Sequence, residues 1–531
     1  MHDMMDHRRS AEAAQGPRMI SNDDGWLVSN GDVEATPQAI QEHMVRTYEG
    51  SPVDAVSWCV GNREVYNHET DVGERFGEGR DDLEGPDAVR KANRERLIEA
   101  AGGPLTEITR QFHEAGMGLL ASVRMNSHYV AEYASPGFGE FRRRHADCLI
   151  GRLDEHIPAP SVEHAIRRGV DYKFPVVREH MEAVVCELLE RFDVDGVELD
   201  YMRHPAFFRV EEGLACGYLM TDFLGRIRRR LDAECSRRGR RVELLVRVPP
   251  TLADSRRLGL DVERWIGDGL VDAVAAGGGF IPFETPIDEF VAAAEGTDCR
   301  VYGSLEALRP CLDEGALRAL AARWWDAGVD GLYLFNYYGT PPEWKRRVLG
   351  EIADRDGLSR RDKRYGLDRC LLGKEGHGGA FNHAHPLVSL PVFLEETRPG
   401  GGCELTLEIT DDTETAAAAG ELDRCVLGLG LEGLSEGDEL EVEWNGRVLP
   451  WEERRVSRDG WTAAALAGSP LDPNIGTTTE DGTLIGLDVG APPPRRGENQ
   501  LRVRLVRGPD SPRRTVVLKE VRLDISYREK A

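Results

Sequence analysis

The chain has 531 residues, is 40% hydrophobic and 30% charged, and carries a formal net charge of −26. That length allows a large core and more than one domain, while so acidic a balance excludes nucleic acid and anionic membrane as main partners, because both demand clustered Lys and Arg. No apolar run reaches the about 18 residues of a membrane span, and the polar opening MHDMMDHRRSAEAAQGPRMIS lacks the apolar stretch of a secretory leader, so a cytoplasmic location is expected.

Residues 1–17 read as a flexible N-terminus. The first strand candidate is RMISNDDGW, Arg18–Trp26. Seven more follow: VDAVSWCVG (Val53–Gly61), GMGLLASVRMN (Gly116–Asn126), VDGVELDYM (Val194–Met202), RVELLVRVPP (Arg241–Pro250), VDAVAAGGGF (Val271–Phe280), CRVYGSLEA (Cys299–Ala307) and VDGLYLFNYYG (Val329–Gly339). Four share one pattern, Val-Asp, a small residue, then a hydrophobic run. Segments with the 3.6-residue period, such as TRQFHEAG and HMEAVVCELLERF, fall between them. Strands alternating with helices predict an α/β domain, most simply a (β/α)8 TIM barrel over residues 18–358, with the repeat marking strands 2, 4, 6 and 8. A doubly wound open sheet is the alternative, disfavoured because no GxGxxG turn follows the first strand.

Residues 359–374, including RDKRYGLDR, read as a linker. After it the helical period fades. CELTLEIT, DELEVEWNGRVL, NQLRVRLVRG and TVVLKEVRLDISY alternate apolar and polar residues, which predicts an all-β, jelly-roll-like sandwich over 375–531. The ten cysteines form no CxxC pair and read as reduced thiols of the core.

In a barrel the C-terminal strand ends build the active site. The first strand brings Asn22, Asp24 and Trp26 there, the second Trp58, and the third Arg124, Asn126 and His128. The fourth brings Glu198, Asp200, Tyr201, Arg203 and His204, the fifth Arg247, the seventh Tyr302 and Glu306, and the eighth Asn336 and Tyr337. Glu198 and Asp200 are two apart, so both project from one face. Carboxylates transfer protons and attack acetal carbons, amides and arginines bind hydroxyls, and aromatic rings stack on sugars. Glycoside hydrolysis needs two facing carboxyls, and strands 4 and 7 face each other across a barrel, so Asp200 and Glu306 are the expected pair. Asp200 is expected as acid/base and Glu306 as nucleophile or base. Glu198, one layer deeper, either assists or pairs with Arg124 or Arg247 inside the barrel. Asp54, Asp195, Asp272 and Asp330, at the strand starts, read as turn residues.

The stretch DVDGVELDYMRHP, preceded by YKFPVVREHMEAVVCELLERF, resembles the glycoside-hydrolase-like TIM barrels of the family-10-like group, with their D-G-[IV]-x-[LF]-D-[YD]-x-R-[YH]-P signature. The resemblance implies a barrel acting on a polysaccharide or glycan, with Asp200 and Arg203 on the signature. The strand-4 ending lacks the Asn-Glu pair of the large retaining clan. The expectation is therefore a glycoside hydrolase with a carbohydrate substrate, no cofactor and no metal. One alternative is a non-catalytic carbohydrate-binding barrel. The other is a metal-dependent hydrolase or lyase using Glu198, Asp200, His128 and His204.

Overall fold

The computed structural model describes residues 18–29, 33–62, 65–127, 135–152, 155–158, 161–277, 282–306, 313–368, 388–394, 402–457, 461–462, 479–480, 482–507 and 515–528. All eight expected strands form: β1 (Met19–Asp23), β2 (Ala55–Asn62), β3 (Gly118–Arg124), β4 (Gly196–Asp200), β5 (Glu243–Val248), β6 (Ala273–Ala276), β7 (Arg300–Glu306) and β8 (Gly331–Phe335). Each runs parallel to the next. Ile20 of β1 lies opposite Ala55 of β2 on one side and Tyr333 of β8 on the other, so the sheet closes into a barrel.

The Val-Asp repeat has a physical role at the closed end. Each aspartate precedes an even-numbered strand and accepts a backbone N–H at the start of the odd-numbered strand before it. Asp54 Oδ2 accepts from Met19 (3.0 Å), Asp195 from Leu119 (2.8 Å), Asp272 from Leu244 (2.8 Å) and Asp330 from Val301 (2.8 Å). These are donors at the strand bottoms, where the ladder has just begun. The four aspartates are therefore clamps far from the strand ends that carry the chemistry.

The strands sort their side chains by alternation. Outward residues such as Val56, Trp58, Val60, Val197 and Leu199 join the core under the helices. The helix Pro175–Arg191 meets it with Val177, Met181, Val184, Val185, Leu188 and Leu189, a stripe with helical spacing. Inward residues, among them Ile20, Leu120, Leu245, Tyr302, Tyr333 and Phe335, form a second cluster that fills the barrel.

The C-terminal part has two main antiparallel sheets, one of six strands and one of four, and a short two-stranded one pairing Trp461–Thr462 with Thr479–Glu480. Their alternating strands, such as Cys403–Ile409 and Asp438–Trp444, send every second side chain inward. The strand Lys363–Gly366 falls inside the stretch expected as a linker. It pairs with Val516–Tyr527, so the β-domain's sheet begins there. Its apolar content is too low to signal a strand, because Lys363 is buried by pairing with Asp411 at 3.0 Å instead of by hydrophobicity. The described cysteines are free thiols.

Candidate active site

The barrel interior is layered. Glu198 on β4 occupies the middle. Its Oε2 accepts from Ser57 Oγ and Tyr333 Oη, each at 2.7 Å, and its Oε1 accepts from Ser122 Oγ at 2.8 Å. Its partners are thus hydroxyls from β2, β3 and β8, where the sequence pointed to Arg124 or Arg247. Burial, then the charge of Asp200, pushes its carboxyl up to about 6.

Two residues on, Asp200 sits at the mouth. Its Oδ1 accepts the backbone N–H of Met202 (3.0 Å) and of Arg203 (2.9 Å). Arg247 on β5 reaches Asp200 at 3.3 Å with Nη1 and Glu306 on β7 at 3.6 Å with Nη2. The guanidinium carbon lies over Phe335, 3.7 Å from the ring centroid. One buried arginine therefore stands between the two carboxyls. Asn336, with φ of 67°, turns its amide to Glu306 at 3.4 Å. Left-handed backbone is uncommon outside glycine, and asparagine tolerates it best.

Across the mouth, Asp24 pairs with Arg124. Burial opposes the Asp24 charge, but Arg124, Arg203 and Arg247 outweigh it and hold its carboxyl below the ordinary value. Behind β1, Asp23 Oδ1 accepts from the amides of Gly25 (2.8 Å) and Trp26 (3.1 Å), which fixes the turn carrying Asp24. Burial pushes the Asp23 carboxyl up to about 6. Lys345, also buried, faces it electrostatically and is pushed down to about 7 by burial. Its Nζ donates to Tyr338 O at 2.7 Å and Thr47 Oγ1 at 3.0 Å.

The mouth thus gathers Asp24, Arg124, Asp200, Arg203, Arg247, Glu306 and Asn336, with Glu198 and Asn22 beneath. Trp26 is half-buried at the start of the short helix after β1, and His204 is buried just past β4. Other expected site residues lie elsewhere. Trp58 and Tyr201 point outward into the core, where Tyr201 packs against Phe207 and Trp265. Tyr337 also leaves the barrel and stacks on Trp344. None of these three offers a ring to a sugar. Tyr302 has the inward parity of Glu306 but lies four residues, about 13 Å, lower along the strand, and accepts from Arg300 at 2.7 Å. Asn126 is consumed as a clamp, donating to Val170 O (2.8 Å) and Ala206 O (2.5 Å) and accepting from Val170 N (3.0 Å). His128 lies outside the described residues. Among those described, Glu198, Asp200 and His204 do not converge as metal ligands; the one cluster of that kind is in the loop after β3.

Ser57 and Tyr333, which sequence reasoning missed, were readable from the repeat, whereas Ser122 lies on a strand outside it. Aligning VDAVSWC, VDGVELD, VDAVAAG and VDGLYLF places Ser57 and Tyr333 level with Glu198, and Cys59 and Phe335 level with Asp200. The same alignment places Trp58 level with outward Leu199.

No family model matches the chain, that of the expected family-10-like group included, and no curated protein matches it in sequence. Among solved structures it is similar to the endo-β-1,4-mannanase of Thermotoga petrophila, at 12% identity and a TM-score of 0.42, over 96% of this chain and 99% of that one. The α-L-fucosidase isoenzyme 2 of Paenibacillus thiaminolyticus follows at 13% identity and a TM-score of 0.39, over 65% of this chain and 49% of that one. The GH36 α-galactosidase AgaB of Geobacillus stearothermophilus stands at 12% and 0.38, over 93% and 56%. The chain spans about half the length of the latter two. Similarity of this order shows neither a family nor an activity. No described helix is long and apolar enough to cross a membrane.

Proposed function

We propose that the chain is a glycoside hydrolase in which Asp200 and Glu306 are the carboxyl pair. The observation that carries this reading is their placement on β4 and β7 at the barrel mouth, facing each other across the single guanidinium of Arg247. Hydrolysis of an acetal requires two carboxyls set apart by the width of the reacting centre and its water or leaving oxygen. One gives a proton to the leaving oxygen. The other attacks the anomeric carbon or takes a proton from the attacking water. Asp200 is held in place by two backbone amides and Arg247, which orients its second carboxyl oxygen for attack on the anomeric carbon or for taking a proton from a water. Glu306 then serves as the acid, the reverse of the roles expected from sequence. Asp24, Arg124 and Asn336 line the mouth with donors and acceptors for sugar hydroxyls.

The Arg247 bridge also favours a second reading, a barrel that binds carbohydrate without cleaving it, because both carboxyls are engaged by one cation. A panel of aryl glycosides and polysaccharides separates the two. Hydrolysis predicts product from the wild-type chain and a loss of about a thousandfold in D200N and in E306Q, with unchanged circular dichroism. Retention of an oligosaccharide with no product from the wild type selects the binding reading. Near-normal turnover in either variant removes that residue from the mechanism.

A further inference from the structure

The connection from β3 to the helix Pro175–Arg191 contains a tightly held turn. The helix Glu140–Arg144 runs into a 3-10 turn at Ala146–Cys148, and Leu149 then bridges Val170. Arg142, buried, pins this turn to the fold. It donates to Ser127 O (3.2 Å), Arg168 O (2.8 Å) and Asn126 Oδ1 (3.3 Å). On the far side the carbonyl of Cys148 accepts the N–H of Asp171 at 2.8 Å. The His145 ring packs against Phe141, with centroids 4.7 Å apart.

This backbone brings a ring nitrogen of His145, a carboxylate oxygen of Asp147 and Sγ of Cys148 to within 4.8 Å of one another. Cys148 is buried, His145 half-buried and Asp147 exposed, so the group opens outward from the thiol. One sulfur, one imidazole nitrogen and one carboxylate oxygen form a mixed donor set. Calcium and magnesium take oxygen donors and are poorly served by it. Zinc accepts all three types, at about 2.0–2.3 Å and in tetrahedral array.

We propose that His145, Asp147 and Cys148 form a zinc site that braces the loop after β3, with water in the fourth position. Binding replaces the thiol proton, which leaves to solvent, with a Zn–S bond. Asn126 ties Val170 of this loop to Ala206 of the loop that follows Asp200. The brace therefore reaches the wall of the barrel mouth.

The test uses the full chain, stripped with a chelator and dialysed. Titration with Zn2+ against a chromophoric chelator is expected to show one tight equivalent and a rise in melting temperature, since the ion binds the folded state more tightly than the unfolded chain. H145A and D147A alter side chains that are not fully buried and are expected to fold, with affinity at least about tenfold weaker. Co2+ in place of Zn2+ is expected to give a thiolate charge-transfer band that C148S abolishes. The wild-type band stands without that variant if C148S does not fold. The proposal is overturned if the wild type takes up no Zn2+ at micromolar concentration. It is equally overturned if H145A and D147A bind as tightly as the wild type, which would place the ion among the chain's other histidines and cysteines.

Discussion

Glu198 and Asp200 are two residues apart on one strand face, yet their surroundings assign them different work. Glu198 accepts three hydroxyls and holds β2, β3 and β8 to β4 from inside. Removing its carboxyl in E198A leaves those hydroxyls without their acceptor and is expected to cost about 3 kcal/mol, read by denaturant unfolding. Its pH behaviour follows from burial and the Asp200 charge, which raise the carboxyl from 4.5 to about 6. Between those values the folded state holds more of the proton than the unfolded chain does. Stability from this group is therefore present below about pH 4.5 and is lost as pH rises through about 6. E198Q has no such proton. The difference in unfolding free energy between wild type and E198Q is expected to change across that window and to flatten above it.

At the scale of the element, the informative unit is a pair of strands. Each Val-Asp clamps the strand before it, so the barrel is four repeats of two strands fastened at the bottom. Asp272 shows the clamp most fully. It accepts from Leu244 N (2.8 Å), Arg228 Nη1 (2.8 Å) and Arg241 Nη2 (3.0 Å), joining a helix and two strands. D272A is expected to lower stability by about 1–3 kcal/mol and to leave turnover of any accepted substrate within a fewfold of wild type. A thousandfold loss of turnover without loss of stability would contradict a purely structural clamp.

For the whole molecule, the barrel and the β-domain are joined through named contacts. The strand Lys363–Gly366 packs on the helix Glu314–Ala327. Arg364 bridges Asp313 of the barrel and Asp524 of the β-domain, each at 2.6 Å. Glu284 N donates to Asp368 Oδ2 at 2.6 Å and Asp368 N to Glu284 Oε1 at 3.1 Å, a reciprocal pair across the same junction. Arg364 is partly shielded from solvent, so its loss is worth more than that of a surface pair. R364A is expected to lower the melting temperature by a few degrees, about 1–2 kcal/mol, and to speed proteolysis between the two parts. Unchanged proteolysis would place the stability of the junction in its apolar contacts.

The chain order of apolar runs and the Val-Asp repeat determined eight strands and the face on which Asp200 lies, and favoured a barrel over an open sheet, while the pairing of β1 with both β2 and β8 closed it. They did so because strand periodicity is local and a repeat enforces the same parity four times. The alternating pattern after residue 400 determined the antiparallel sheets for the same reason. The tertiary structure decided which side chains reach the mouth, except for Trp58, whose outward parity the repeat already carries. Trp58, Tyr201 and Tyr337 have the composition of a sugar platform, but parity and the turn after β8 send them into the core. Asn126 and Glu198 look available in sequence and are engaged by partners from distant segments, Glu198 by residues 76 to 141 positions away. The bridge from Arg247 to both Asp200 and Glu306 depends on three strands brought side by side by closure, and no spacing along the chain encodes it.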